Sequence, residues 1–212
     1  MHLKSQAEID KIRASCRIAA ETMLRVLDQV KPGVTTLELD RVAAQYIRGQ
    51  GATASPLGYE VPGKPPYPRS ICVSVNEVVV HGIPGNRVLE DGDILSVDVT
   101  VARDGYHGDM NVTTIAGQVR PETERLLSVT RQALETGMEA CTAGRRLGDV
   151  GHVIQRWVEG EGYSVVRDFC GHGIGREFHE APQVLHFGTP GTGLRLQPGM
   201  VFTVEPMVNE GT

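Results

Sequence analysis

Apolar positions recur at helical spacing near the start of the chain: Ile9, Ile12, Cys16, Ala19, Ala20, Met23, Leu27 and Val30. Ser5 followed by Glu8 forms a capping box in front of them, and Pro32-Gly33 stops the pattern, so a first helix is expected between. Thr35 or Thr36 then caps a second helix, through Leu39, Val42, Ala43, Tyr46 and Ile47 to Gly49-Gln50-Gly51. Residues 55–68 hold five prolines and two glycines and read as a loop. The β-branched run over residues 71–80 predicts a strand, and residues 94–101 and 106–115 predict two more around Arg103-Asp104-Gly105. Pro121 suits a first helical position, so a third helix is expected to about Ala140, with a fourth from about Leu147 to Glu159. A short strand at residues 163–166 follows, then short strands and glycine loops.

The pattern also repeats. Leu37…Gly49-x-Gly51 matches Leu147…Gly160-x-Gly162, and His81-Gly82-Ile83 matches His172-Gly173-Ile174. Leu89-x-x-Gly92, followed by Val97-Asp98, matches Leu196-x-x-Gly199, followed by Val204-Glu205. Three matches in one order predict two similar halves related by a pseudo-twofold axis, with Asp98 and Glu205 facing a shared cleft.

Composition narrows the class. The 212 residues suit one sizeable domain, and 40% hydrophobic with 22% charged residues is ordinary for a soluble globular protein. A net charge of −5 gives no footprint for nucleic acid. No apolar run approaches the roughly 20 residues of a membrane span, and the N-terminus has no signal-peptide core. Cys16, Cys72, Cys141 and Cys170 form no CxxC and read as reduced thiols of a cytoplasmic protein.

Asp98 and Asp109 fall on the two strands of the expected hairpin, whose midpoint lies between Arg103 and Asp104, so they are expected to pair directly. Two carboxylates that close repel unless a cation lies between them. The pair alone also fits one solvent-facing and one turn-stabilising aspartate. Asp98, however, sits in an apolar strand frame where a carboxylate needs a partner. Glu205 is expected to end a buried strand over residues 201–204, with the same need. Glycines flank His172 and let backbone approach it closely. Asp98, Asp109, His172 and Glu205 make an oxygen-rich set with one nitrogen, suited to Mn²⁺, Fe²⁺, Co²⁺ or Zn²⁺, and bridging carboxylates allow two ions. His81 and His179 lie beside glycine or loop signals. Taken singly, each fits a surface or satisfied core histidine, the reading given to His2, His107, His152 and His186. Trp157 reads as core.

Asn76-Glu77-Val78-Val79-Val80-His81-Gly82-Ile83-Pro84, Asp93-Ile94-Leu95-Ser96-Val97-Asp98, Gly108-Asp109, Gly171-His172-Gly173-Ile174-Gly175 and Phe202-Thr203-Val204-Glu205-Pro206 together resemble the type I methionine aminopeptidases. The resemblance runs from the first helix to the last residue, and a separation of 33 positions from His172 to Glu205 leaves no room for the type II helical insertion. It implies an α+β pita-bread fold with pseudo-twofold related halves. It implies removal of the initiator methionine from nascent proteins, with a small second residue preferred, by dimetal-assisted hydrolysis. The metal ligands would be Asp98, Asp109, His172 and Glu205, and the ions Co, Mn, Fe, Zn or Ni. His81 and His179 match two substrate-binding catalytic histidines, and Glu205 the proton shuttle. Tyr59, Tyr67, Cys72 and Phe178 would line the methionine pocket. The partners implied are N-termini of nascent polypeptides and the ribosome, with no nucleic acid or membrane bound, and a monomer is expected.

Two departures stand out. The family carries a fifth, bridging glutamate ligand well past Glu205. Carrying Asp109 forward by the 107 residues that separate Asp98 from Glu205 gives position 216, beyond Thr212. Residues 1–212 are therefore expected to form a single pita-bread catalytic domain that is C-terminally incomplete, its last strands missing. The loop between Tyr59 and Tyr67 is also longer than in the usual short enzymes, with residues 61–66 inserted, which leaves open which tyrosine lines the pocket. Two other readings stay open: a non-catalytic peptide-binding module of this fold, and a prolidase-like or aminopeptidase P-like enzyme.

Overall fold

Each helix starts where its first-turn N–H groups find an acceptor or, at a proline, where one is missing. The computed structural model of the chain describes residues 2–211. Ahead of helix α1 (Gln6–Leu27), the Ser5 main-chain N–H donates to the Glu8 carboxylate at 2.8 Å, and the Glu8 N–H returns to the Ser5 hydroxyl at 3.4 Å. Thr35 and Glu38 close the same box at α2 (Thr36–Gly49). Helix α3 (Pro121–Ala140) opens on its proline, whose missing N–H costs nothing there. Helix α4 (Leu147–Gly160) opens after Arg146, whose main-chain N–H donates to the Asp149 carboxylate at 2.8 Å.

Among the described residues the strands are β1 (Thr53–Ala54), β2 (Cys72–Val75), β3 (Asp93–Arg103), β4 (Tyr106–Ala116), β5 (Ser164–Val165), β6 (Gly171–Gly173), β7 (Glu180–Val184) and β8 (Val208–Asn209). β3 pairs with β4 along its whole length, and with β1 and β2 at two places on its other edge, all antiparallel. Leu95, Val97, Val99 and Val101 on one face of β3 are fully buried against Ile18, Ala19, Met23 and Val26 of α1 and Leu39, Ala43 and Ile47 of α2. A second core gathers Ala133 and Ala140 of α3, Val150, Ile154 and Val158 of α4, Val165, Val184 and Leu196. No helix among the described residues is long and apolar enough to cross a membrane.

The chain divides into two compact units. One is Asp10–Arg120; the other joins the chain up to Ile9 with the chain from Pro121 onward. Each holds one copy of the repeat, with the same local bonding. In the first unit the Gly33 N–H donates to the Leu89 carbonyl and the Leu89 N–H to Val34, both at 2.8 Å. In the second, Gly144 donates to Leu196 at 2.9 Å and Leu196 to Arg145 at 2.8 Å.

Three expectations from the sequence change. The strand over residues 71–80 stops at Val75, because Asn76 takes φ 54° and turns the chain. Its main-chain N–H still donates to the Ile94 carbonyl at 3.0 Å, while its side-chain amide accepts the Ile94 N–H at 3.0 Å and donates to Asp93 at 2.7 Å. The β3–β4 turn is the two-residue Asp104-Gly105, at φ 52° and 74°, as a primed hairpin turn requires. Asp98 therefore faces Asn111, and Asp109 faces Thr100, so the two aspartates are diagonal neighbours on one face rather than direct partners. Residues 201–204 form no regular strand: Phe202 makes an isolated bridge to Gly173, and Glu205 sits in extended, half-buried chain.

Candidate metal centre and active site

In the unit Asp10–Arg120, β3 and β4 turn a polar face away from the core. It carries the half-buried Asp98 and Asp109, with Ser96, Thr100 and Asn111. The Thr100 hydroxyl donates to the Asp109 carboxylate at 2.9 Å. Gly108 explains the approach of α1 behind Asp109: a Cβ there would lie 2.4 Å from the Cys16 nitrogen. Cys72 is the ladder partner of Asp98. Burial first, and then the Asp98 charge, pushes its thiol up to about 12.

His81 lies at φ 58°, a left-handed conformation that costs a non-glycine residue about 1–2 kcal/mol. The next residue holds it there. The Gly82 N–H donates to the Ser74 hydroxyl at 3.0 Å, and its carbonyl accepts the Val73 N–H at 2.9 Å. A Cβ on Gly82 would meet the Val73 oxygen at 2.3 Å, so β2 and this segment touch only through glycine. The Tyr67 hydroxyl donates to the Gly82 carbonyl at 2.9 Å, with the Ile71 carbonyl at 3.2 Å as an alternative acceptor. Tyr59 and Tyr67 are both held at the neck of the long loop. The Tyr67 N–H donates to Tyr59 at 2.9 Å, and the Gly58 N–H to the Tyr67 carbonyl at 2.8 Å. Desolvation first, and then the charge of Lys64, lowers the His81 pKa below its ordinary value.

In the other unit β6 and β7 form a short hairpin carrying His172, Phe178 and His179. The His172 Nδ1 lies 2.9 Å from the Gly173 carbonyl, which can only accept, so Nδ1 carries a proton, which in the neutral ring leaves the lone pair on Nε2. That Nε2 faces the Glu205 carboxylate at 3.8 Å. Thr203 joins the two: its hydroxyl donates to Glu205 at 2.5 Å and accepts the His172 main-chain N–H at 2.9 Å. The flanking glycines are close approaches, as the sequence predicts. A Cβ on Gly171 would lie 2.5 Å from the Thr203 oxygen, and one on Gly173 2.3 Å from that of Ala181. The exposed His179 stacks on Phe178 at 4.1 Å between ring centroids and lies 4.3 Å from the His172 ring.

His186, read from the sequence as a surface or satisfied histidine, is wholly buried beside this cluster. Its Nε2 accepts the Glu205 main-chain N–H at 3.1 Å, and its Nδ1 has no partner among the described residues. Burial holds its pKa down at about 4, so it is neutral. Sequence reasoning also missed Thr100 and Thr203. Thr203 was within reach, because it stands two residues before Glu205 in an extended run and so shares its face. Thr100 needed the strand register.

Each unit by itself holds two candidate ligands, Asp98 with Asp109 in one and His172 with Glu205 in the other. Among the described residues no group of three or more histidine, cysteine, aspartate or glutamate side chains is gathered tightly enough to hold an ion. The donors nevertheless fit a metal. The neutral His172 ring and the Glu205 carboxylate, 3.8 Å apart, offer one nitrogen and one oxygen donor to a cation, and the Gly173 carbonyl that orients the ring is the kind of outer partner metal-binding histidines use.

Comparison with known proteins agrees. The model of the metallopeptidase family M24 matches residues 10–212. Methionine aminopeptidase A of Synechocystis sp. is 49% identical over 211 residues, 99% of this chain and 81% of that protein. The crystal structure of methionine aminopeptidase from Rickettsia prowazekii superposes with a TM-score of 0.96 at 44% identity, covering 100% of this chain and 84% of that one. A Xaa-Pro dipeptidase from Bacillus anthracis shares the fold at a TM-score of 0.80, but is only 26% identical and is covered to 54%. This is the α+β pita-bread architecture expected from the sequence. The chain belongs to metallopeptidase family M24, among its methionine aminopeptidases.

Proposed function

We propose that the chain hydrolyses the first peptide bond of polypeptides that begin with methionine, preferring a small second residue. The observation that carries the reading is His172 with its Nδ1 pinned to Gly173 and its Nε2 facing a Thr203-braced Glu205, in a chain about half identical to named methionine aminopeptidases. Membership of the family implies a divalent metal. The finer reading is two ions held by Asp98, Asp109, His172 and Glu205, with Co, Mn, Fe, Zn or Ni as the element. When bound, they supply Lewis acidity that brings a water's pKa down toward 7.

The chain's own groups do the rest. Glu205 accepts the proton of the attacking water and hands it to the leaving amine. His179, exposed at the hairpin tip, donates to the scissile carbonyl oxygen as charge builds there. His81 meets the scissile amide. Cys72, Tyr59, Tyr67 and Phe178 line a pocket suited to an unbranched thioether. The setting that suits this chemistry is the cytoplasm, where a monomer meets nascent N-termini at the ribosome. The test is a peptide panel offered to the metal-loaded protein: Met-Ala, Met-Leu, Leu-Ala, Lys-Ala and Xaa-Pro. Release of methionine from Met-Ala above all others is expected. Equal turnover of Leu-Ala, or preference for Xaa-Pro, overturns the reading.

A further inference from the structure

Lys4 is a lysine that the protein has buried. Its side chain is 3% exposed, and its ammonium donates to the Glu180 carboxylate at 2.5 Å, across 176 residues of sequence. Its own main-chain N–H donates to the Gly199 carbonyl at 2.7 Å, which anchors the segment ahead of α1 within the same compact unit. Glu180 is the first residue of β7 and immediately follows His179. Its second carboxylate oxygen accepts the Glu177 N–H at 3.2 Å. On the other stem of the hairpin, Gly175 is pressed against the same lysine: a Cβ there would lie 2.5 Å from the Lys4 nitrogen and 2.7 Å from Glu180. The ammonium is therefore wedged between the two stems of the turn that carries Phe178 and His179.

Burial opposes ionisation of Glu180, but the Lys4 ammonium and the Glu177 N–H outweigh it and hold the carboxyl below its ordinary range. Burying a charge pair is a poor way to gain stability alone, because well-packed apolar residues often do as well or better. An ion pair does fix direction. His179 sits exposed on a short turn, where its ring is braced by stacking on Phe178. Its place follows that of the backbone around it.

We propose that Lys4 is a positioning residue: through Glu180 it clamps the 175–180 turn and so sets where His179 meets the substrate. The inference rests on His179 acting at the scissile carbonyl. The experiment compares Lys4→Met, Lys4→Arg and Glu180→Gln with the unaltered metal-loaded enzyme, by steady-state kinetics on a Met-Ala peptide and by amide hydrogen exchange.

A misplacement of about 1 Å at a catalytic group can cost on the order of 100-fold, so Lys4→Met should lower kcat by about 10- to 100-fold. KM should stay near its original value. Amides 176–179 should exchange faster while those of α4 stay protected. Lys4→Arg, which keeps the charge, should regain most of the lost kcat. Should Lys4→Met fail to fold, Glu180→Gln reads the same pair and should show the same split between kcat and KM. Unchanged kcat in either variant overturns the clamp. So does a loss accompanied by faster exchange throughout α4, or a Lys4→Arg enzyme no better than Lys4→Met. An unaltered enzyme that releases no methionine would instead refute the assigned activity, and exchange at 176–179 would still report on the clamp.

Discussion

The Thr203 hydroxyl donates to the Glu205 carboxylate at 2.5 Å while the same oxygen takes the His172 main-chain N–H. One side chain therefore orients two candidate ligands. Thr203→Val removes both bonds with little change in volume. Changes to such outer partners typically cost about 10- to 100-fold in metal affinity, and that is the loss expected here. Thr203→Ser should bind metal much as the unaltered protein does. Calorimetric titration checks this, and an unchanged affinity in Thr203→Val would mean that Thr203 braces nothing of consequence.

His179→Ala should leave the metal in place and slow turnover. Loss of one oxyanion donor typically lowers kcat about 10²–10³-fold, and the effect should fall on kcat rather than on metal content. Elemental analysis beside kinetics separates the roles. A variant stripped of metal, with normal activity per ion retained, would make His179 a ligand instead.

Asp93 gives a pH dependence. Burial raises its carboxyl, but the Glu90 N–H, the Asn76 amide and the Arg87 guanidinium outweigh that and hold it below the ordinary 3.8. A carboxylate with a depressed folded pKa stabilises fully above its unfolded pKa, and loses that contribution as pH falls through the folded value. Asp93→Asn should therefore destabilise the protein by a constant amount above about pH 5, and the deficit should shrink below about pH 4. Urea midpoints from pH 3 to 7 measure it. A deficit independent of pH would show that the charge contributes nothing.

Lys64 should act on His81 at a distance. Its positive charge disfavours a protonated imidazole, so Lys64→Met should move the His81 pKa up toward its ordinary value. An NMR titration of the His81 ring reads this without any assay of turnover. No movement, or movement downward, would contradict the assigned field.

The helices were legible because their signals are local. Ser5-x-x-Glu8, Thr35-x-x-Glu38 and Pro121 each settle a terminus with residues a turn apart. The repeat was legible too, since Gly33 with Leu89 and Gly144 with Leu196 bond alike. The Asp98–Asp109 register was misjudged because it depends on which two residues can take left-handed φ. Asp104 and Gly105 do, and that moves Asp109 two places from direct opposition to Asp98. Asn76 ended β2 by taking left-handed φ and offering its side-chain oxygen to the Ile94 N–H, which an apolar run does not reveal. The candidate ligands could be named from their motifs, but the hydroxyls that brace them could not, because a threonine's partner is a matter of register and close packing. His186 and Lys4 lay further out of reach: each is polar, buried and bonded to a residue far off in sequence or on another element.

The neck at Tyr59 and Tyr67 leaves residues 60–66 as an excursion whose ends are already tied by main-chain bonds. Once a neck is closed, lengthening the chain beyond it costs only the slowly growing entropy of a larger loop, about 0.6 kcal/mol for each doubling. Tyr67 on the near side goes on holding Gly82 whatever lies between. This gives the protein a place where length is nearly free, beside a histidine whose backbone is tightly constrained. Peptides of new composition grafted between Glu60 and Pro66 would be carried at the edge of the His81 segment without loosening its backbone, and keeping or losing the charge of Lys64 there would set the field on the His81 ring.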